Sequence, residues 1–277
     1  MDPSTTNVAE HPGDQSVSVA GTGISIANVE VTYGVGSAEP VNALAAVSLE
    51  IPGGSFVSLV GPSGCGKSTL LKVLADLMSP TRGDVRIGDA WPETLRRAGR
   101  IGLVFQDANL MPWLNIERNV RLLEELVAGK GSATKRQDVA NLLEVVGLKG
   151  FERKLPHQLS GGMQQRAALA RALVLDPAIL LMDEPFAALD EITRDRMAFE
   201  LMRIWQHYRK TVIFVTHSLA EAVLLSDRVV LMTARPGSIH KIFDIDLPRP
   251  RSQETRVSDH FIRLVGEINR ELYQVMA

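Results

Sequence analysis

The sequence predicts an α/β fold: a mainly parallel core sheet, an antiparallel β layer beside it, and an inserted helical subdomain. Five short apolar runs separated by helical stretches are typical of parallel strands buried on both faces; they lie at 56–60, 101–105, 178–182, 212–215 and 228–232. Two alternating runs near the start, 24–33 and 42–51, predict the antiparallel layer. From 109 to 176, apolar residues recur at three- and four-residue spacing, which predicts the helical subdomain.

The remaining segments divide the chain into three parts. Residues 1–23 are rich in Ser, Thr, Gly and Pro, which predicts a flexible N-terminal tail. One domain then spans 24–235, with a further strand predicted at 84–89. Residues 236–277 form a C-terminal extension, whose amphipathic helix has an apolar stripe from Phe261 to Leu272. In the simplest interpretation that stripe packs on the domain, and a partner-binding face is the alternative.

Composition limits the classes of function. With 277 residues, 45% hydrophobic and 22% charged, the chain is long enough for one large α/β domain or two small ones. A net charge of −2 gives no general reason to expect nucleic-acid binding. The single cysteine, Cys65, excludes an internal disulfide. Because no apolar run approaches the ~18–20 residues that span a bilayer, we expect a soluble chain that reaches a membrane only through a partner.

Residues 61–69, GPSGCGKST, match the phosphate-binding pattern G-x-x-x-x-G-K-[ST] between a predicted strand and a predicted helix. The glycines let backbone N–H groups approach phosphate oxygens, and the helix N-terminus adds partial positive charge. We expect Lys67 to reach the β- and γ-phosphates of ATP and the Ser68 hydroxyl to bind Mg²⁺. The predicted ATP-binding residues of this segment are Gly61, Pro62, Ser63, Gly64, Cys65, Gly66, Lys67, Ser68 and Thr69.

Two acids follow the apolar run at 178–182, in the sequence AILLMDE. In an enzyme with a phosphate-binding loop, an acid at the end of such a strand holds Mg²⁺, so we assign Asp183 to the metal. Glu184 is the candidate that polarises the water attacking the γ-phosphate. An apolar run followed by Asp-Glu is a weak signal alone, and the upstream phosphate loop gives it weight.

A second candidate anion site lies at 159–166, LSGGMQQR, where Ser and two glycines open a predicted helix. A domain that binds one ATP does not need two such sites. The stretch resembles the signature sequence of ATP-binding cassette (ABC) ATPases, which have a P-loop NTPase fold. The resemblance covers about 24–235 and implies a head-to-tail homodimer. In that dimer each ATP lies between the phosphate loop of one chain and the signature of the other.

The resemblance assigns further residues. Tyr33 matches the aromatic that stacks on adenine, although an ordinary strand tyrosine is the alternative. Gln106 matches the glutamine that contacts Mg²⁺ and water, and Ser160, Gly161 and Gly162 match the residues that bind the γ-phosphate across the dimer. His217 matches the histidine that helps to hold Glu184 and the water. The implied catalytic residues are Glu184, His217 and Lys67; the implied metal ligands are Ser68, Gln106 and Asp183.

Several stretches resemble the ATPase subunits of nitrate, sulfonate and taurine importers, among them LMPWLNIERNV at 110–120 and TARPGSI at 233–239. This implies a homodimer on two transmembrane permease subunits, with a solute-binding protein outside and the chain peripheral on the cytoplasmic face of the inner membrane. Trp113 is the candidate contact with the permease; packing in the core is its alternative. An ABC exporter ATPase and a non-transport soluble ABC ATPase remain alternative functions. The residues do not identify the solute.

Overall fold

The computed structural model of the protein describes residues 22–36, 39–128 and 137–276, so nearly all of the predicted N-terminal tail lies outside the described residues. The strands are β1 Ile24–Tyr33, β2 Val41–Ile51, β3 Phe56–Val60, β4 Arg82–Ile87, β5 Ile101–Val104, β6 Ile179–Asp183, β7 Thr211–Val215, β8 Arg228–Thr233 and β9 Ser238–Asp244. The helices are α1 Lys67–Leu74, α2 Pro92–Arg97, α3 Ile116–Ala128, α4 Val139–Val145, α5 Gly161–Leu173, α6 Glu191–Tyr208, α7 Leu219–Leu225, α8 Gln253–Arg256 and α9 Asp259–Met276.

The core sheet has the order β5-β6-β7-β3-β8-β9. Its first five strands are parallel, as their apolar runs predicted. β9 pairs antiparallel with β8 at the edge and was not predicted. Its sequence, SIHKIFD, has one buried residue, Phe243, because one side of the strand faces solvent. A strand of this kind lacks the continuous apolar run that identified the others.

The core sheet separates two hydrophobic clusters, because side chains alternate along each strand. In β3, Phe56 and Val60 belong to one cluster, while Val57 and Leu59 belong to the other. The second cluster also contains α1 and the three-stranded antiparallel layer, ordered β2-β1-β4. The predicted α/β fold, with a mainly parallel sheet and an antiparallel layer, is therefore confirmed.

The helical segment between β5 and β6 contributes to the first cluster. Helices α3, α4 and α5 supply Ile116, Leu142 and Leu169 to it, together with core-sheet residues such as Val104. Asp138 is the N-cap of α4 and accepts from the Ala140 N–H at 3.1 Å. These three helices therefore pack directly on the core sheet.

The C-terminal segment is bound to the domain at several points. In α9, Phe261 and Ile268 are buried in the first cluster and Leu264, Val265 and Leu272 pack against it, which supports the simpler interpretation of the apolar stripe.

Upstream of α9, the buried Arg251 guanidinium donates to carbonyls at the end of α7, those of Val223, Leu224 and Ser226, at 2.8–3.0 Å. A cation suits this helix end because the last carbonyls carry partial negative charge. Burial, together with the nearby Arg249 cation, lowers the pKa of Arg251 to about 10. Across the described ranges, no helix is both long and apolar enough to cross a membrane.

Candidate nucleotide site

The phosphate-binding loop connects β3 to α1, as predicted, and ends where α1 begins at Lys67. Gly64 and Gly66 adopt φ of +77° and +88°, a region that side chains disfavour. At Gly66 a Cβ would also lie 2.9 Å from the Ala43 carbonyl oxygen. The Lys67 ammonium is buried and donates to the carbonyls of Gly61 and Pro62 at 2.9 and 3.0 Å. The loop therefore wraps around its own lysine.

The Ser68 hydroxyl lies at the start of α1 and donates to the Asp183 carboxylate, at the end of β6, over 3.0 Å. The two strands that precede these residues are close in the sheet, with only β7 between them. The pair brings together a hydroxyl and a carboxylate, oxygen donors of the kind that Mg²⁺ prefers. The donor set therefore fits a magnesium ion.

Glu184 and His217 form a pair at the same edge of the core sheet, at the ends of adjacent strands. The His217 Nε2 lies 2.6 Å from the Glu184 Oε1. Glu184 has φ of +48°, in the left-handed region, where a residue with a Cβ costs on the order of 1–3 kcal/mol. Its N–H donates to the Val215 carbonyl of β7 at 3.0 Å, which holds the turn in place. Such strain at a candidate catalytic residue is consistent with selection for its position.

A cavity of about 820 Å³ joins these elements. It is lined by Tyr33, Ser63–Thr69, Glu184 and His217, as well as by Asn42, Arg235 and their neighbours. Tyr33 is partly exposed, and its hydroxyl lies 3.1 Å from the Oγ1 of Thr69, in the first turn of α1. The structure thus places Tyr33 beside the phosphate-binding segment, on the wall of the same cavity.

Arg235 and the residues after it were missed as contributors to this site. Gly237 lies so close to the loop that a Cβ on it would be 2.1 Å from the Cys65 carbonyl oxygen and 2.9 Å from that of Ala43. Its N–H donates to Ala43 O at 3.0 Å, which ties the segment to β2. The only signal in the sequence was the stretch ARPGS, whose Pro-Gly pair also fits an ordinary surface turn.

Gln106 and the signature residues do not line this cavity. Gln106 is exposed after β5. Ser160 and Gly161 are exposed at the start of α5, where the Ser160 Oγ caps the helix by accepting from the Met163 N–H. Within one chain the two predicted anion sites are therefore separate, and the second presents a helix N-terminus to solvent.

A smaller cavity of about 220 Å³ is also lined by Glu184 and His217, together with Arg194, Thr216, Glu221 and their neighbours. Glu221 is buried and accepts from the Thr216 hydroxyl at 2.6 Å, and its other oxygen is 3.5 Å from the Arg194 Nε. Burial raises the pKa of the Glu221 carboxyl above its usual range, against the opposing effects of Thr216 and Arg194. Sequence reasoning did not single out this group.

Comparisons with known proteins agree with this geometry. Residues 44–187 match the family model described as ABC transporter. An uncharacterized ABC transporter ATP-binding protein from Methanocaldococcus jannaschii is 51% identical over 77% of this chain and 79% of its own. An aliphatic sulfonates import ATP-binding protein from Bacillus cereus is 42% identical over 78% of this chain and 83% of its own.

A solved structure of a dimeric ATP-binding cassette, in a post-hydrolysis state with ADP and Pi bound, has a TM-score of 0.67 and 36% identity. The match covers 81% of this chain and all of that one. The sequence, the fold and the arrangement of the site agree, so this chain belongs to the ABC transporter family and contains its ATP-binding, ATP-hydrolysing domain.

Proposed function

We propose that this chain is the ATP-hydrolysing subunit of an ABC importer for a small solute of the nitrate, sulfonate or taurine type. The observation that supports hydrolysis best is the Glu184–His217 pair at 2.6 Å on the wall of the cavity that contains the phosphate loop. The importer assignment is supported by the 42% identity to a protein named for aliphatic sulfonate import. The solute itself would contact other subunits.

In this proposal each residue has a defined task. The loop N–H groups and Lys67 bind the β- and γ-phosphates, and Tyr33 stacks on adenine. Ser68, Asp183 and Gln106 would hold Mg²⁺, which would supply positive charge beside the phosphates. Glu184 orients and polarises the attacking water. His217 keeps the Glu184 carboxylate in place through their hydrogen bond.

The second half of the site comes from another copy of the chain. Ser160, Gly161 and Gly162 do not line the cavity of their own chain, and in a head-to-tail homodimer they would meet the γ-phosphate of the partner's ATP. ATP binding then favours the closed dimer, and hydrolysis allows it to reopen. Two permease subunits, docked near the exposed Trp113, would convert this cycle into uptake from an external binding protein.

The substitution Glu184→Gln tests the catalytic role. We expect the variant to bind ATP, to accumulate as a dimer with ATP and Mg²⁺, and to lose at least a hundredfold in kcat, because an amide cannot accept a proton from water. Nucleotide titration measures ATP binding, size-exclusion chromatography measures the dimer, and phosphate release measures kcat. Glu191→Gln, an exposed acid in the first turn of α6, is the matched control. Unchanged hydrolysis by Glu184→Gln would contradict the assignment.

The variant Glu184→Gln also tests whether the chain binds permease subunits. Purified from solubilised membranes of its source cell with ATP and Mg²⁺, it should retain a polytopic membrane protein in near one-to-one ratio, identified by mass spectrometry. Recovery of soluble partners alone would favour the non-transport alternative. The direction of transport is tested by measuring aliphatic sulfonate inside cells that lack the gene. If the chain serves an importer, these cells should contain less sulfonate than cells with the gene; if it serves an exporter, their sulfonate content should not fall.

A further inference from the structure

The side-chain amide of Gln165, on the first turns of α5, binds two separate segments of the nucleotide site. Its Nε2 donates to the carbonyls of Phe105 and Gln106 at 2.8 and 3.0 Å, and to that of Pro185 at 2.5 Å. The residue is only 5% exposed. Three carbonyls from two loops therefore converge on one buried nitrogen.

The arrangement uses Gln165 as a donor only. Its Oε1 is buried and has no hydrogen-bond partner among the described residues. A reversed amide would place that oxygen against three carbonyl oxygens, so the carbonyls fix the orientation of the side chain. A buried acceptor without a partner is unfavourable, and a helix that needed only packing at this position would be served better by an apolar side chain.

The carbonyls belong to segments with assigned tasks. Pro185 directly follows Glu184, whose backbone is in the left-handed region with φ of +48°. The Val215 carbonyl holds this turn on one side of Glu184, and the Gln165 amide holds it on the other. The remaining two carbonyls lie on the loop that contains Gln106.

Helix α5 connects these contacts to the signature residues. It begins at Gly161 after the Ser160 N-cap, so Gln165 is about one turn from the second anion site. Further along the helix, the Arg171 guanidinium donates to the carbonyls of Ala108 and Asn109, both at 2.7 Å. The helix therefore holds the Gln106 loop at two places, but holds the Glu184 turn through Gln165 alone among these side chains.

We propose that Gln165 is a positioning residue for ATP hydrolysis, which fixes the Glu184 turn and the Gln106 loop to the helix that Ser160 caps. The inference rests on the proposed function of those three residues. A displacement of α5, produced when Ser160 binds the partner's ATP, reaches the Glu184 turn through the Gln165 amide, and it reaches the Gln106 loop through the same amide and Arg171. Hydrolysis is thereby coupled to closure of the dimer.

The test is Gln165→Met, which keeps the length and approximate volume of the side chain and removes the donor. We expect kcat of the purified full-length chain to fall ten- to hundredfold, while the dissociation constant for a fluorescent ATP analogue changes less than threefold. The matched control is Gln206→Met. Gln206 lies on α6, outside the segment 159–166 and outside the lining of the nucleotide cavity, so its loss leaves the three convergent carbonyls paired. We expect a change of less than threefold in its kcat.

Arg171→Met separates the two contacts, because it releases the loop at Ala108 and Asn109 and leaves Pro185 bound. It should lower kcat less than Gln165→Met does. Gln165→Asn keeps the amide on a shorter side chain and should recover part of the lost kcat.

The proposal is overturned if Gln165→Met keeps kcat within threefold, or if its nucleotide affinity falls in proportion to kcat. It is also overturned if both Gln165 variants unfold, since that outcome identifies a purely structural role. Failure of the proposed function has a different signature: Glu184→Gln would hydrolyse ATP as fast as the unsubstituted chain, whatever Gln165 does.

Discussion

At the scale of single residues, Gly237 decides whether the segment after β8 can lie on the phosphate loop. In Gly237→Ala the Cβ would meet the Cys65 carbonyl oxygen at 2.1 Å and the Ala43 carbonyl oxygen at 2.9 Å. Both are backbone atoms, so the segment must move away. We expect a loss of roughly 2–4 kcal/mol in the free energy of unfolding and weaker ATP binding, measured by urea denaturation and nucleotide titration.

Gly266→Ala is the control for this substitution. Gly266 lies within α9, and a Cβ there meets nothing within 4 Å. Since alanine favours helix over glycine by about 1 kcal/mol, this variant should be more stable than the unsubstituted chain. Equal stability of the two variants would show that the close approach at Gly237 is unimportant.

At the scale of elements, the burial of Glu221 by α7 and its neighbours makes stability depend on pH. Burial raises the pKa of this carboxyl in the folded state, so between the unfolded and folded pKa values the folded chain binds more protons. Its contribution to stability is full below the unfolded pKa and is lost as pH rises through the folded pKa. Glu221→Gln removes this dependence and keeps an oxygen that can accept from Thr216.

We therefore expect the stability of Glu221→Gln, relative to the unsubstituted chain, to increase as pH rises from about 4 to 8. Denaturant titrations of both proteins across this range measure the difference. Glu144→Gln, at an exposed position paired with Lys149, is the control and should show a smaller change. A difference for Glu221→Gln that is constant with pH, or that decreases, would contradict the raised pKa.

The burial of the strands and the lengths of the helices explain why some elements could be predicted from the sequence and others could not. β3 and β5 to β8 have apolar runs because both faces of the core sheet are covered. Helices α2 and α7 have six and seven residues, too short for a helical period to be recognised. The motifs around Lys67, Asp183 and Glu184 were predicted from local sequence and meet at one edge of the sheet.

Gln165 and Gly237 had no comparable signal in the sequence. A glutamine inside a helix is an ordinary surface residue in any pattern, and only the tertiary structure shows that it is buried against three carbonyls. Gly237 follows a proline, as many turn glycines do, and its role depends on β2 and the phosphate loop. The contacts of Gln165 and Gly237 join segments that are distant in the sequence, and such contacts could not be predicted from local sequence patterns.

At the scale of the whole molecule, Trp113 tests the proposed assembly. Its side chain is 73% exposed after the Gln106 loop, so the alternative of core packing does not hold. A large exposed aromatic of this kind often anchors a protein interface. Trp113→Ala should leave the melting temperature within a degree or two and weaken permease binding at least tenfold, or about 1.4 kcal/mol.

Trp91→Ala is the matched control, because Trp91 is also exposed but stacks under the Arg86 guanidinium, 3.4 Å from its ring centre. Permease binding by this variant should be unchanged, as measured by co-purification in detergent. If both variants bind permease equally, Trp113 is not at the interface.

The attachment of residues 236–251 bears on how the protein can be shortened or fused to others. After the last parallel strand, this stretch first lies on the phosphate loop at Gly237, then extends the core sheet as β9, and finally closes the end of α7 through Arg251. A fusion joint or truncation at residue 235 would thus remove parts of the nucleotide site. The usable C-terminal limit for engineering lies beyond Arg251.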